Sequence, residues 1–204
     1  MNVITISREF GSGGREVGKR LADALGYAYY DREILTALAE STEMEETYLE
    51  HILERGAAAP PYPLAFGRTF SQLPYFSHLS ASLMAKQTAL IKKLADQGSC
   101  VIVGRNANVI LEDKKPLRIF VYAELDSRIA RCKQRETENP GRTDKDYERQ
   151  IKEVDRLRAR NHDMLCSYRW GDMRGYDLCL NTNYLEIKKV IPSVAEYTKQ
   201  WFAK

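Results

Sequence analysis

The segment of residues 3–19, VITISREFGSGGREVGK, constrains the fold more than any other part of the chain. A short β-branched stretch at its start predicts a strand, and the pattern after Gly14 predicts an amphipathic helix. Between them lie Gly11, Gly13 and Gly14. Glycines let the backbone curl until several N–H groups face one anion, and a helix N-terminus adds positive charge. The segment therefore predicts a phosphate-binding loop between the first strand and the first helix.

Two alignments of this loop to the phosphate-loop motif compete. Gly13-x-x-x-x-Gly18-Lys19 matches G-x-x-x-x-G-K-[ST] up to its lysine, with Arg20 in the place of Ser/Thr. That alignment leaves room for only a short helix, over about 19–25. The other alignment starts the loop at Arg8, ends it at Gly13 and starts the helix at Gly14.

The second alignment is preferred because it gives a helix of normal length that has one apolar face and ends at Gly26. The apolar positions are Val17, Leu21, Ala24 and Leu25. Its consequence is that Gly14, Arg15 and Glu16 occupy the places of the lysine and the hydroxyl residues. The alternative, a glycine-rich turn that binds no ligand, stays open.

The composition is that of one globular domain. The chain has 204 residues, of which 44% are hydrophobic and 29% charged, and a net charge of +3 that is too small to indicate nucleic-acid binding. Cys100 and Cys179 lie in apolar runs and are predicted to be buried thiols of a reducing compartment. With no signal region and no long apolar run in the sequence, we expect a cytoplasmic protein without membrane contact.

Strand and helix patterns alternate along the chain, which predicts an α/β fold with a parallel sheet. Strands are predicted over 3–6, 27–30, 100–103, 117–122 and 176–181, and helices over 14–25, from 32, 41–55 starting at a cap on Ser41, 78–97, 126–136, 144–162 and 185–202. The proline- and aromatic-rich segment 56–76 is predicted to be a loop or flap. Whether it forms part of an acceptor pocket or a contact in a homodimer stays open.

Ligands bind at the carboxyl ends of the strands in such a sheet, so polar residues just after each strand are candidates. Arg105 follows the apolar strand 100–103 and could clamp a phosphate, or could be a surface arginine paired with a carboxylate. Asp31 follows the second strand and could hold a magnesium-bound water or a substrate hydroxyl, or could cap the next helix.

A dense basic region lies between residues 128 and 160, with seven acidic residues interleaved over 136–155. We expect two or three of its arginines to contact phosphate and the others to be solvated. His51, His78 and His162 have no metal-ligand spacing, so no metal site is predicted from them.

The chain resembles the cytidylate kinase-like family of P-loop proteins over nearly its whole length. The motifs that carry the resemblance are 6–14 (ISREFGSGG), Tyr30-Asp31, 101–105 (VIVGR), 155–160 (DRLRAR), and Trp170 followed by Tyr176-Asp177-Leu178. The resemblance implies a single domain over 1–204 with a three-layer P-loop NTPase-type parallel sheet and helices on both faces. It also implies a helical substrate-binding insert at about 32–97 and an arginine-bearing lid at about 136–172.

The activity that the resemblance implies is phosphoryl transfer from ATP to CMP or dCMP, with small nucleotides as the binding partners. The implied phosphate-binding residues are Gly11, Ser12, Gly13, Gly14, Arg15 and Glu16. The implied acceptor-binding residues are Asp31, Arg105, Asp155 and Arg158, and the implied catalytic arginines are Arg15, Arg131 and Arg158.

The chain departs from the family pattern at the loop, since the lysine and the magnesium-binding serine are absent. Arg15 could supply the missing charge but cannot coordinate a cation, so Mg²⁺ is expected with ATP without the usual Ser/Thr ligand. The basic residue expected a few positions after Asp31 on the substrate helix is absent, since Leu35, Thr36 and Ala37 fill that region. Asn106 stands where an aspartate is expected. Two hypotheses follow: an enzyme of the kinase type, or a kinase-derived protein that binds a nucleotide without turnover.

Overall fold

The computed structural model describes residues 1–55, 74–136 and 141–203. The chain divides into two compact units. The first unit comprises Met1–Tyr30 with Gln97–Lys204, and the second comprises Asp31–Asp96.

The first unit is built on a five-stranded sheet with the order β2-β3-β1-β4-β5, in which every neighbouring pair is parallel. The strands are β1 (Val3–Arg8), β2 (Ala28–Tyr30), β3 (Cys100–Val103), β4 (Leu117–Tyr122) and β5 (Leu178–Asn181). β1 is central, with Ile6 opposite Val103 on one side and Ile119 on the other. The residues that follow β1 therefore leave the sheet between the ends of two neighbouring strands.

Helices flank this sheet, which confirms the predicted α/β class. They are α1 (Gly14–Leu25), α5 (Ala107–Ile110), α6 (Leu125–Arg135), α7 (Asp144–Asp163) and α8 (Ile187–Phe202), together with short 3₁₀ helices at Glu112–Lys114 and Met173–Gly175. Val17 and Leu21 of α1 share one buried cluster with Ile191 and Val194 of α8 and with the strand residues. The core thus holds α1 through Val17, Leu21 and Ala22, whereas Ala24, predicted to lie on the apolar face, is exposed.

The start and end of α1 are those of the preferred loop alignment. The helix begins at Gly14 after an N-cap at Gly13, and it ends at Leu25. Gly26 is the C-cap in the left-handed region, with φ 68°, and its N–H binds the carbonyls of Ala22 and Asp23. The structure therefore confirms that the loop runs from the end of β1 to Gly13.

The second unit consists of α2 (Glu33–Thr42), α3 (Glu46–Arg55) and α4 (Pro74–Asp96). These helices share a buried cluster formed by Leu35, Leu38, Leu49, Ile52 and Leu83. Among the helices of the described residues, none combines the length and the apolar character that crossing a membrane requires.

Three sequence predictions are wrong in detail. Ser41 does not start a helix: it lies in α2, its hydroxyl donates to the Leu38 carbonyl at 2.9 Å, and α3 begins only at Glu46. Residues 74–76, predicted as loop, begin α4, whereas 56–73 lie outside the described residues. Cys179 is exposed, while Cys100 is buried as predicted. Cys179 is exposed because β5 is an edge strand whose alternate side chains face outward.

Leu21→Ala should lower the free energy of unfolding by about 2–5 kcal/mol, because it leaves a cavity at a fully buried position between α1 and the sheet. Urea unfolding followed by circular dichroism measures the change. Leu165→Ala, at a leucine that is 48% exposed, is the matched control and should change stability by less than about 0.5 kcal/mol. Equal losses in the two variants would contradict the packing described for α1.

Candidate functional site

The backbone between β1 and α1 adopts conformations that favour glycine. Gly11 has φ 79° and Gly13 has φ 85°, both in the left-handed region. Space is also limited at Gly11, where an added Cβ would lie 2.9 Å from the Arg128 carbonyl oxygen. The loop therefore passes close to the backbone of α6, which only a residue without a side chain permits.

Three amides of the loop bind to the protein itself. The Glu9 N–H donates to the Val121 carbonyl at 3.0 Å, and the Phe10 N–H donates to Oδ1 of Asp155 at 2.8 Å. Both the amide and the hydroxyl of Ser12 donate to the Glu9 carbonyl, at 3.3 and 2.9 Å. Ser12 is fully buried, so its amide and hydroxyl stabilise the turn of the loop.

The first turn of α1 is the part of the loop that is suited to an anion. The first N–H groups of an α-helix have no intrahelical acceptor, and no side chain caps this helix. Gly13 and Gly14 are buried there, while the Arg15 side chain is exposed. The positive end of the helix dipole adds to these amides. The candidate position for an anion is therefore the turn formed by residues 13–16.

Arg128 on α6 holds the loop in place. Its buried guanidinium donates from Nε to the Phe10 carbonyl at 2.8 Å, lies 3.0 Å from Oε2 of Glu9 through Nη1, and pairs with Asp155 through Nη2. Glu9 also accepts the Ala123 N–H at 3.1 Å. One side chain thus joins the loop to α6 and α7, and we call this group of residues the Arg128 clamp: Glu9, Phe10, Arg128 and Asp155.

Both carboxyl groups of the Arg128 clamp, those of Glu9 and Asp155, have shifted pKa values. Burial raises the pKa of Glu9 and of Asp155 above the ordinary values, and Arg128 and the backbone N–H donors oppose this effect. The ionised forms of both acids therefore depend on the guanidinium between them. Asp155, an acceptor-site residue by the family resemblance, is in this structure bound to the loop and to Arg128.

Arg158 and Arg105 lie in the same unit, close to the ends of β1 and β3. Nη1 of Arg158 donates to the Arg8 carbonyl at 3.0 Å, and its Cζ lies 5.6 Å from the centre of the Phe10 ring. Arg105 follows Gly104 directly after β3, and both have positive φ, 56° and 76°. The structure thus places these two predicted phosphate ligands at the carboxyl edge of the sheet.

Asp31 belongs to the second unit and is 8% exposed. Its N–H donates to Oε2 of Glu33 at 2.9 Å. The N-cap of α2 is Arg32, which makes no side-chain cap. The alternative in which Asp31 caps the helix is therefore not what the structure shows.

A pocket of about 330 Å³ lies beside the first turn of α1. Residues that line it are Glu16, Arg131, Arg135, Leu185, Ile187 and Lys188. Arg131 donates from Nη2 to the Thr182 carbonyl, and its buried Nη1 has no partner among the described residues. Burial lowers the pKa of Arg131, with a further contribution from Arg135. The pocket thus combines a half-buried arginine with a mostly charged lining that includes two apolar side chains, Leu185 and Ile187.

Glu16 is one of two acidic residues that line this pocket, with Glu186, and it stands where the preferred alignment has a hydroxyl residue. Its carboxylate lies 2.9 Å from Nε of Arg20 and 3.7 Å from Nη2 of Arg135. Within 1–55, 74–136 and 141–203, no group of three or more His, Cys, Asp and Glu side chains could hold a metal ion. A magnesium ion at this place would therefore depend on ligands other than a protein cluster.

The sequence did not single out Arg128 or the 185–188 segment. Arg128 is one of eleven basic residues between 128 and 160, and nothing in its local pattern separates it from the others. The spacing of Arg128 and Arg131 puts them on one side of α6, which is a signal that they act together. Leu185 and Ile187 carry no motif that could have indicated a pocket.

Arg128→Ala should destabilise the protein by about 3–5 kcal/mol, because two largely buried carboxylates lose their counter-ion. Thermal and urea unfolding measure the loss. Arg156→Ala is the matched control: this arginine is exposed, pairs with Glu153, and should cost less than about 1 kcal/mol. Adding Asp155→Asn to Arg128→Ala should restore part of the loss, and a further loss of full size would contradict the clamp.

Gly11→Ala should cost more stability than Gly26→Ala, although both glycines have positive φ, 79° and 68°. Position 26 has no atom within 4 Å of an added Cβ, so only the backbone strain of about 1–2 kcal/mol applies there. At position 11 the Cβ meets backbone, which adds about 1–3 kcal/mol. Urea unfolding of the two variants gives the difference, and equal costs would mean that the loop is not held against α6.

The chain is similar to known proteins in sequence and in fold. Residues 3–184 match the cytidylate kinase-like family. No curated protein sequence matches the chain. The crystal structure of an uncharacterised protein from Eubacterium ventriosum is similar, with 25% identity, a TM-score of 0.70, and coverage of 98% of this chain and 99% of that one.

Shikimate kinases share the fold at low identity. The enzyme from Acinetobacter baumannii, solved with shikimate, is 12% identical with a TM-score of 0.56, covering 100% of this chain and 96% of its own. The enzyme from Bacteroides thetaiotaomicron is 14% identical with a TM-score of 0.57, covering 100% and 99%. The fold is thus that of P-loop kinases, and the match over residues 3–184 shows that the chain belongs to the cytidylate kinase-like family.

Proposed function

We propose that this protein is an ATP-dependent phosphotransferase that acts on a nucleoside monophosphate of the CMP or dCMP type. The observation that carries the proposal is the first turn of α1, which no side chain caps, beside a pocket where Nη1 of the half-buried Arg131 is buried without a partner among the described residues. This combination suits a chain of phosphates that leads from the helix N-terminus into the pocket. Family membership supports the same class of reaction.

The pocket is proposed to bind the donor nucleotide. Leu185 and Ile187 offer apolar surface to a base, and Arg131, Arg135 and Lys188 offer positive charge to phosphates. Nη1 of Arg131 gains most from such a ligand, because a buried donor without an acceptor is costly and a phosphate oxygen would supply one. The same anion would offset the burial that lowers the pKa of Arg131.

The reaction needs positioning and charge neutralisation more than covalent chemistry. An oxygen of the acceptor phosphate attacks the γ-phosphorus of ATP, the bond to the β–γ bridging oxygen breaks, and ADP leaves. Charge spreads over the equatorial oxygens of the transferred group, where arginines stabilise it. Arg131 is assigned to the donor side, and Arg105 and Arg158 are assigned to the acceptor side at the edge of the sheet.

Magnesium is proposed to arrive on the phosphates of ATP and to keep several waters. Glu16 is the one carboxylate in the first turn of α1, and its ion pairs with Arg20 and Arg135 compete with direct metal binding. When bound, the ion neutralises phosphate charge. As ATP and nucleoside monophosphates are metabolites of the cytoplasm, we also place the protein there.

A second candidate function is nucleotide binding without turnover. The observation that favours it is the loop itself, where Gly14, Arg15 and Glu16 replace the lysine and the hydroxyl residues of the motif. A protein of this kind would keep the donor pocket but would not catalyse phosphoryl transfer.

An ADP-release assay separates the two functions, with CMP, dCMP, other nucleoside monophosphates and shikimate as acceptors. We expect ADP release with a cytidine monophosphate, and a loss of about 100- to 1000-fold in kcat for Arg131→Ala. Arg149→Ala, at an arginine of α7 whose side chain is 82% exposed, is the control and should be active. Turnover only with shikimate would contradict the acceptor class. Measurable ATP binding without turnover on any acceptor would support the second candidate function, nucleotide binding alone.

A further inference from the structure

Residues 8 and 14, at the two ends of the loop, compete for one space. A Cβ atom added at Gly14 would lie 2.5 Å from Cβ and 2.8 Å from Cγ of Arg8. Atoms this close to the backbone cannot move aside without moving β1 or α1, both of which are packed into the core. A side chain at one of these positions therefore requires glycine at the other.

The side chain of Arg8 uses this shared space and then extends over the edge of the sheet. Its stem passes Gly14, and its guanidinium lies against Gly104 at the end of β3, where an added Cβ would overlap it and come within 2.7 Å of Cζ. Gly104 is thus a second position where the path of Arg8 excludes a side chain. The guanidinium of Arg8 thus reaches from the loop to Gly104, the residue before Arg105.

The phosphate-loop motif has the opposite arrangement at these two positions. In G-x-x-x-x-G-K, the first position is glycine and the last is lysine, whose ammonium binds the β- and γ-phosphates. In the preferred alignment, whose helix start at Gly14 the structure shares, these positions are Arg8 and Gly14. The chain therefore has glycine and the cation exchanged between the two ends of the loop.

We infer that Arg8 is the phosphate-binding cation of this loop, and that it replaces the motif lysine from the opposite end of the loop. The inference rests on the proposed function, since it assigns the ligand of Arg8 as the phosphates of the bound nucleotide. It goes beyond the family pattern, because a residue at the end of β1 supplies the charge through the volume that the absence of a side chain at Gly14 leaves.

Arg15 is the competing source of positive charge and differs from Arg8 in position. Its side chain is exposed on α1, whereas Arg8 is partly buried and lies over the strand ends. The Arg8 backbone is also fixed, because its carbonyl accepts Nη1 of Arg158 at 3.0 Å. A cation held in this way is preorganised for an anion at the carboxyl edge of the sheet.

The test introduces the motif residues, glycine at position 8 and lysine at position 14, singly and together. Isothermal titration with ATP and Mg²⁺ is carried out on the full chain and on Arg8→Gly, Gly14→Lys and the double variant Arg8→Gly/Gly14→Lys. We expect Arg8→Gly to weaken ATP binding by about 10- to 100-fold. Gly14→Lys alone should lower the thermal midpoint because of the overlap with Arg8. The double variant, which restores the motif, should bind ATP at least 5-fold more tightly than Arg8→Gly.

Arg8→Gln and Arg156→Gln form the matched pair that controls for folding. Arg8→Gln keeps the stem and removes the charge, so it should lose affinity at an unchanged thermal midpoint; Arg156→Gln should change neither. Wild-type affinity in Arg8→Gln, or a loss only in Arg15→Ala, would overturn the inference and leave the proposed function intact. Absence of ATP binding by the unmodified chain would overturn both.

Discussion

The buried guanidinium of Arg128 is the interaction on which the functional end of the molecule depends. It contacts the carbonyl of Phe10 and the carboxylates of Glu9 and Asp155, and so joins the loop to α6 and α7. A glycine-rich loop has a large conformational entropy, and without such contacts it would not hold one shape. The clamp keeps the first turn of α1 and the strand ends in a fixed relation, which any binding of an anion there requires.

The amides of the loop and of the first helical turn differ in their contacts. The N–H groups of Glu9, Phe10 and Ser12 bind acceptors inside the protein, whereas no side chain caps the first turn of α1, where we propose that the anion binds. The site is thus narrower than the glycine pattern alone indicates. The proposed site lies over residues 13–16 and continues into the pocket where Nη1 of Arg131 is buried without a partner among the described residues.

The positive charge that we propose for this site comes from side chains outside the position of the motif lysine. Position 14 is glycine, and the structure shows that a side chain there would collide with Arg8. If position 14 is that of the motif lysine, as the preferred alignment has it, the absence of the lysine is coupled to the presence of Arg8 through this shared volume. Glu16 adds a negative charge to the first turn and pairs with Arg20 and Arg135, which limits its repulsion of an anion.

Local pattern in the sequence determined the strands, most helices and the point where α1 begins, because apolar periodicity and glycine position act over a few residues. The sequence could not select Arg128 among eleven basic residues, nor show that Asp155 binds a loop 145 positions away. It also could not show that residues 8 and 14 exclude each other. These contacts depend on the distances between segments that are far apart in the sequence. Only the packing of β1, α1, α6 and α7 sets those distances.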